Sequence, residues 1–301
     1  MTSDPVHYTK SHDAFCKKSN LDQCKNKWFQ DSFPEIMKPI ICRWPSPETK
    51  VPAVRVLGIG SADGKFDFKI LNVIVDGLIK ANPNLSTKLS LLNRVVEPSS
   101  SSIDGYKECS TVWSKGRYDI DASFELVQDT FQDYAMKERE AGQFQFIHFL
   151  SSIYYMNAEE ALVYCMEKEL AKNGSILLFS FTENSFWTAF ARRFHDNGIC
   201  PAPPGFTCYS SKDLISIAKK YNWRYEFHHL KYWFDATELF KDKSEIGSFL
   251  ADFLTHTINF RGVTEKAKYD AVMKFWEEEA KTEEDGRRLM WCEVGIFFLH
   301  K

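Results

Sequence analysis

The chain has 301 residues, 44% of them apolar, which is enough to bury a large core and excludes a small disulfide-stapled module. Its 38 basic and 41 acidic residues are interspersed and leave a net charge of −3, so no basic stripe follows a phosphate backbone and no nucleic-acid partner is expected. No apolar run approaches the roughly 18 residues of a membrane helix, and Met1 to Lys10 lack an apolar signal region, so the expectation is a cytoplasmic protein without a membrane contact.

Spaced apolar positions from Tyr8 to Met37 (Phe15, Cys24, Trp28, Phe29, Phe33) predict one or two amphipathic helices acting as a cap. Val54 to Gly60 reads as a strand running into glycines, followed by a helix from Phe66 to Lys80 with Ile70, Val73, Ile74 and Leu78 on one stripe. Leu89 to Val96 is a second strand, after which Ser99 to Ser102 cap a helix. Ala122 to Val127, Phe144 to Leu150 and Ser175 to Phe181 are three further strands, with a helix from Ala158 to Lys172 stopped by Asn173-Gly174. Beyond a loop at Pro201 to Gly205 come a helix from Ser211 to Tyr221, a strand from Arg224 to Phe234, helices at Glu245 to Phe260 and Glu265 to Lys281, and a last strand from Met290 to Leu299. Apolar strands alternating with helices call for a doubly wound α/β fold, a parallel sheet with helices on both faces. A late pair of strands after five alternating ones matches a seven-stranded sheet whose final strand inserts antiparallel, as in methyltransferases. Pattern alone does not separate that from a dehydrogenase. With no repeat or linker, a single domain is expected.

The eight cysteines (Cys16, Cys24, Cys42, Cys109, Cys165, Cys200, Cys208, Cys292) form no CxxC pair and have no companion histidine spacing, so they read as reduced thiols and no metal site is expected. Aromatic residues make up 15% of the chain, more than a core alone calls for, so a minority can line an apolar pocket.

Gly58, Gly60 and Gly64 follow the first strand as G-x-G-x-x-x-G, one residue longer than the dinucleotide fingerprint. Glu97 stands where the second strand runs out, the place where a carboxylate accepts hydrogen bonds from both ribose hydroxyls of a nucleoside. Glycines and acid converge on one crevice and favour a nucleoside cofactor. Asp63 beside the helix start repels a pyrophosphate, so the loop suits S-adenosylmethionine better, although the residues so far leave the cofactor open.

Four runs, VRVLGIGSADGKFDFKIL (Val54 to Leu71), VVEPSSSSIDGYKE (Val95 to Glu108), FIHFLSSIYY (Phe146 to Tyr155) and ADFLTHTINF (Ala251 to Phe260), resemble the histamine N-methyltransferase family, and the resemblance extends from about Tyr8 to the C-terminus. It implies a class I, Rossmann-like methyltransferase sheet with a small aromatic substrate lobe, S-adenosylmethionine as cofactor, a small amine as substrate and a monomer in solution. The helical cap would cover residues 1–45, the cofactor-binding core 50–181, substrate-lobe elements and late strands 182–289, and the final strand 290–301. Carried over by position, Gly60 and Glu97 fall at the cofactor glycine and the ribose acid, with Gly58 beside them in the same loop, Ser102 at a glutamine near the adenine, and Leu150 at the residue packing on it. The family's adenine-side serine falls within Gln128 to Phe131.

For the substrate pocket the resemblance assigns Tyr8, Tyr155, Phe253 and the Phe186, Trp187 and Phe190 cluster. Three polar contacts differ: Leu21 replaces a glutamate, Ser151 a glutamine and Cys292 an asparagine. Each lost partner costs about 1–3 kcal/mol, so the expectation is a different or broadened amine, such as carnosine or an aryl-ethylamine, or Asp22 and Glu293 serving one residue along. Cys292 and Glu293 point to opposite faces of a strand, so both line the pocket only through a bulge. His148, in the fourth strand, is the one candidate base. A nicotinamide dehydrogenase and a retired cofactor-binding homologue are the competing readings.

Overall fold

The computed structural model describes residues 4–44, 53–83, 88–137 and 141–301. Three helices open it, α1 (Pro5–Lys18), α2 (Leu21–Asp31) and α3 (Phe33–Ile41), one more than the sequence suggested. Then follow β1 (Ala53–Ile59), α4 (Asp67–Ala81), β2 (Leu89–Val96), α5 (Ser100–Lys115), β3 (Ile120–Val127), α6 (Phe131–Ala135), β4 (Phe144–Leu150), α7 (Ala158–Tyr164) and β5 (Leu170–Phe181). The remainder comprises α8 (Phe186–Phe190), α9 (Ser211–Lys220), β6 (Arg224–Asp235), α10 (Glu245–Thr255), α11 (Phe260–Val263), α12 (Lys266–Glu279), β7 (Lys281–Thr282) and β8 (Arg288–His300). These elements form two compact units.

The sheet unit comprises the described residues from Lys27 to Ser180, Asp213 to His228 and Ile296 to Lys301. The strands run in the order β3-β2-β1-β4-β5-β8-β6, with β7 attached to β8. From β3 to β5 every neighbouring pair is parallel. The late strand β8 inserts between β5 and β6, the place expected for the last strand of the seven-stranded doubly wound sheet. Its elements form for local reasons. Val56, Leu57 and Phe146 are fully buried strand residues, and Ile70, Leu71, Ile74 and Val75 bury the stripe of α4. Ser99 caps α5 by accepting from Ser102 N at 3.3 Å. Phe33 of α3 packs against Phe146 at 6.4 Å and Phe298 at 6.3 Å between ring centroids, so α3 closes the core of this unit.

One boundary differs from expectation. The helix from Ala158 ends at Tyr164, and after a π-type turn from Cys165 to Glu169 strand β5 begins at Leu170. Leu170 is fully buried opposite Phe144, whereas the next pair is Ser175 with Phe146, so Asn173-Gly174 sits in a bulge with Asn173 at φ +64°. Burial of Leu170 outweighs the local stop signal, and the left-handed residue serves a bulge instead of a helix end.

The lobe unit comprises the described residues up to Asn26, Phe181 to Lys212 and His229 to Gly295. Phe186, Phe190, Phe194, Phe234 and Trp276 fill its core, with Phe186 against Phe234 at 5.5 Å and Phe190 against Phe194 at 4.9 Å. The helix expected to run to Phe260 stops at Thr255. His256 (φ +51°) and Asn259 (φ +54°) are left-handed, and the buried Asp252 carboxylate accepts from Asn259 N and Phe260 N, both at 2.8 Å. Those two bonds satisfy the first amides of α11 and fold the chain back. Asp252 Oδ2, the oxygen that accepts from Asn259 N, also lies 2.8 Å from His7 Nε2 of α1.

A buried histidine links the sheet unit to pH. Arg43 donates to His300 Nδ1 at 3.3 Å and the Ser175 hydroxyl lies 2.9 Å from the same nitrogen, so Nδ1 is a lone-pair acceptor, while Nε2 lies 3.3 Å from Glu226. Burial lowers the His300 pKa to about 4, with Arg224 adding to the shift and Glu226 opposing it. The unfolded chain, with its ordinary histidine pKa of about 6.5, then binds the proton first as pH falls. Stability from this group is full above that pH and is lost progressively as the pH falls toward 4. Denaturant titrations at pH 7 and pH 5 check this: His300→Gln should lose less stability over that interval than the parent. Equal losses would remove His300 from the account.

Candidate functional site

The parallel strands β3, β2, β1 and β4 end on one edge of the sheet, and Gln128, Glu97, Gly60 and Ser151 follow their carboxyl ends in that lateral order. This is where open α/β sheets hold ligands. Gly60 turns at φ +67°, a left-handed conformation, while its N donates to Val96 O at 2.8 Å. The same turn brings Ala62 N within 3.0 Å of Glu97 Oε2, and the other carboxylate oxygen accepts from Ser99 N at 3.0 Å. The glycine loop and the acid therefore border a single crevice, with the carboxylate 8% exposed and held in place by two peptide donors.

The neighbouring strand end completes the edge. Ser151 is left-handed at φ +63°, and Ser152 donates its hydroxyl to Ile59 O at 2.5 Å. A Cβ on Gly60 would lie 2.5 Å from Ser152 Cβ, so the two loops are closely packed. Sequence reasoning missed Ser152, since a serine after a strand carries no distinctive signal. Leu150 is partly exposed at the end of β4, Ser102 lies in the first turn of α5, and Gln128 is exposed just past β3. Of the other residues in the window from Gln128 to Phe131, Thr130 is engaged with Asp133 and Phe131 is buried.

Two of the expected residues lie back from the open edge. A Cβ on Gly58 would lie 2.3 Å from Ser61 Oγ, 2.8 Å from His148 Cε1 and 2.9 Å from Asp67 Oδ2, so the space that a side chain would take there is filled by protein. His148 is 1% exposed, 3.5 Å from the equally buried Asp67, so it is no base at the crevice. Burial lowers the His148 pKa and raises that of Asp67, which keeps both groups toward neutrality. Tyr106 donates to Asp67 at 3.2 Å and receives Asn93 Nδ2 at 2.7 Å, which makes the cluster a buried polar support beneath β1.

In the lobe unit Phe253 is the centre of a ring cluster, 6.2 Å from Tyr8, 5.6 Å from His12, 5.0 Å from Phe15 and 6.1 Å from Trp187. Trp187 Nε1 donates to the Tyr232 hydroxyl at 2.6 Å. Of the predicted Phe186, Trp187 and Phe190 trio only Trp187 keeps an open face, because the two phenylalanines are 1% exposed. Among the described residues no cluster of three or more His, Cys, Asp or Glu could hold a metal ion, and no helix is long and apolar enough to cross a membrane.

No family model matches the chain. Histamine N-methyltransferase of Cavia porcellus is 28% identical over 262 residues, 86% of this chain and 82% of the relative. That of Xenopus tropicalis is 25% identical over 310 residues, 100% of this chain and 97% of the relative. The chain is a homologue of the histamine N-methyltransferases. Carnosine N-methyltransferase 2 of Gallus gallus is also similar, 22% identical over 289 residues, 95% of this chain and 83% of the relative. Among solved structures, a loganic acid methyltransferase with SAH has a TM-score of 0.55 at 9% identity, covering 93% of this chain and 95% of that one, and shows the shared fold.

The positions where this homologue departs from the family's polar contacts can now be placed. Leu21 opens α2 and is partly buried, its N donating to Ser19 Oγ at 3.1 Å. Cys292 is 2% exposed on β8, and burial pushes its thiol pKa well up, which leaves a neutral group. Glu293 alternates to the other face of the strand, where it lies 3.9 Å from Lys231. The charge of Asp22 acts on His12, whose pKa is nevertheless lowered by burial. Tyr155, in the sheet unit, is 44% exposed and packs edge-on against Tyr154.

Proposed function

We propose that this chain transfers a methyl group from S-adenosylmethionine to a nitrogen of a small amine. The single observation that carries the reading is the buried Glu97 carboxylate beside the left-handed Gly60 turn, at the edge where a nucleoside would lie. It is an enzyme, and S-adenosylmethionine is its cofactor. Glu97 would take the ribose hydroxyls, the peptides of the Gly60 loop the amino-acid tail, and Ser102, Gln128 and Leu150 the adenine. When bound, the cofactor supplies an electrophilic methyl on a sulfonium centre. The chain's own residues orient a neutral nitrogen lone pair and exclude water, and the ring faces of Tyr8, Trp187 and Phe253 favour the cationic product. No strong base is needed for that transfer.

The substrate is an imidazole- or aryl-bearing amine other than histamine, or a set wider than it. Leu21, Ser151 and Cys292 offer no carboxylate or amide where the resemblance places them, and unmatched polar groups are costly. Interspersed charge and the free cysteines support a monomer acting in the cytoplasm on a small molecule and not on nucleic acid.

Calorimetry with S-adenosylmethionine followed by methyl transfer to histamine, carnosine and phenethylamine tests the reading. Micromolar cofactor binding with turnover of at least one amine is expected, and failure to bind the cofactor would end it. Leu21→Glu restores one acceptor and should raise kcat/KM for histamine about 10-fold, the worth of one charged hydrogen bond. No gain would take Leu21 out of the pocket.

A further inference from the structure

Two glycines of the motif after β1 serve the protein beneath the loop. At Gly58 the place of a side chain is taken by Ser61, His148 and Asp67. Gly64 is left-handed at φ +79°, and a Cβ on it would lie 2.5 Å from Tyr106 Cε2 and 2.9 Å from Phe68 Cε2. Only a residue without a side chain allows so close an approach. The segment from Gly58 to Gly64 is therefore moulded on the side chains under it, while Gly60 alone turns the chain at the open edge.

Those side chains are polar and shut off from water. Asp67, Asn93, Tyr106 and His148 are each at most 1% exposed. Asp67 Oδ2 accepts from the Tyr106 hydroxyl at 3.2 Å and lies 3.5 Å from His148 Nε2, and the Tyr106 oxygen accepts from Asn93 Nδ2 at 2.7 Å. The carboxylate also meets the hydroxyl of Ser61, which belongs to the loop itself. Both nitrogens of His148 and Asn93 Oδ1 are buried without a hydrogen-bond partner. Apolar side chains of the same shape would fill this space without that cost, so the polar groups hold a geometry more than they add stability.

Each member comes from a different element bordering the crevice. Asn93 stands four residues before Glu97 on β2, His148 two before Leu150 on β4, and Tyr106 four after Ser102 on α5, while Asp67 opens α4 directly behind the loop. We propose that Asp67 is the positioning residue of the methyl-donor loop: as the hub of this cluster it holds Gly58 to Gly64 in the shape that presents the Gly60 peptides and, through Ala62 N, the Glu97 carboxylate to S-adenosylmethionine. Asp67 lies beneath the loop and acts through it, without touching the cofactor. The inference rests on the cofactor placement above and adds the group that keeps the placement rigid.

Calorimetry with S-adenosylhomocysteine, read beside melting temperatures, tests it. Asp67→Ala should weaken binding at least about 10-fold, whereas Asp67→Asn, which keeps an oxygen for Tyr106 and a polar group for Ser61, should bind within about threefold of the parent. Tyr106→Phe keeps the ring against Gly64 and removes only the hydroxyl, and should weaken binding at least about threefold. Leu170→Ala is the control for lost stability alone: it empties a fully buried position at the amino end of β5, so the melting temperature falls while affinity stays within about twofold. Affinity within about twofold of the parent in both Asp67→Ala and Tyr106→Phe, or in Tyr106→Phe alone should Asp67→Ala not fold, overturns the inference, as does a loss in Leu170→Ala equal to that in Asp67→Ala. A parent that does not bind S-adenosylhomocysteine removes the cofactor placement and the inference with it, whereas a parent that binds beside unchanged variants removes the inference alone.

Discussion

Glu97→Ala lowers the affinity for S-adenosylmethionine by at least about 100-fold. The carboxylate is positioned by Ala62 N and Ser99 N, and each charged hydrogen bond that it would make to a ribose hydroxyl is worth about 1.5–3 kcal/mol, so losing two would exceed about 3 kcal/mol. Glu97→Gln keeps the shape and loses the charge, and about a 10-fold loss is expected from it. Calorimetry on both variants, alongside melting temperatures that report any loosening of the loop, separates the ribose contribution from the local one. Parent-like affinity in the alanine variant would mean that the acid faces something other than a nucleoside.

The second large effect is that of Gly60→Ala, which should destabilise the sheet unit by about 2–4 kcal/mol and abolish cofactor binding. Two penalties coincide there: a left-handed φ of +67°, and a new Cβ only 2.5 Å from Ser152 Cβ, which is anchored through the Ser152 hydroxyl bond to Ile59 O. Gly198→Ala separates them, because Gly198 has φ +66° but nothing within 4 Å of a built Cβ. That control should cost only about 1 kcal/mol, the strain of the backbone by itself. Chemical denaturation gives both numbers, and a Gly60 variant no worse than the control would show that the Ser152 loop moves aside.

The sheet was legible because its strands are short apolar runs bounded by turn residues, and Leu89 to Val96 and Phe144 to Leu150 fall at the boundaries expected of them. Asn173-Gly174 was misread because left-handed residues end helices and form bulges alike, and only the burial of Leu170 against Phe144 decides between them. The ends of strands also told where Glu97 and Gly60 would meet. Gly58 looked like their companion, yet its missing side chain makes room for His148 and Asp67, a packing demand that glycine spacing does not express. In the lobe, aromatic content was visible but phase was not: Phe186 and Phe190 lie one turn apart and face the core, leaving Trp187 between them to face outward. His256 stayed hidden because an unbroken apolar period runs past it, and the stop comes from Asp252 holding two later amides.

The placement of the altered positions has a bearing on how such a protein diversifies. Gly60, Glu97, Ser102, Gln128 and Leu150 belong to one compact unit together with the altered position Ser151, whereas Leu21, Cys292 and the rings around Phe253 belong to the other. Changes at Leu21 and Cys292 therefore fall outside the unit that carries the residues proposed to hold the methyl donor, whereas a change at Ser151 falls beside them, next to Leu150.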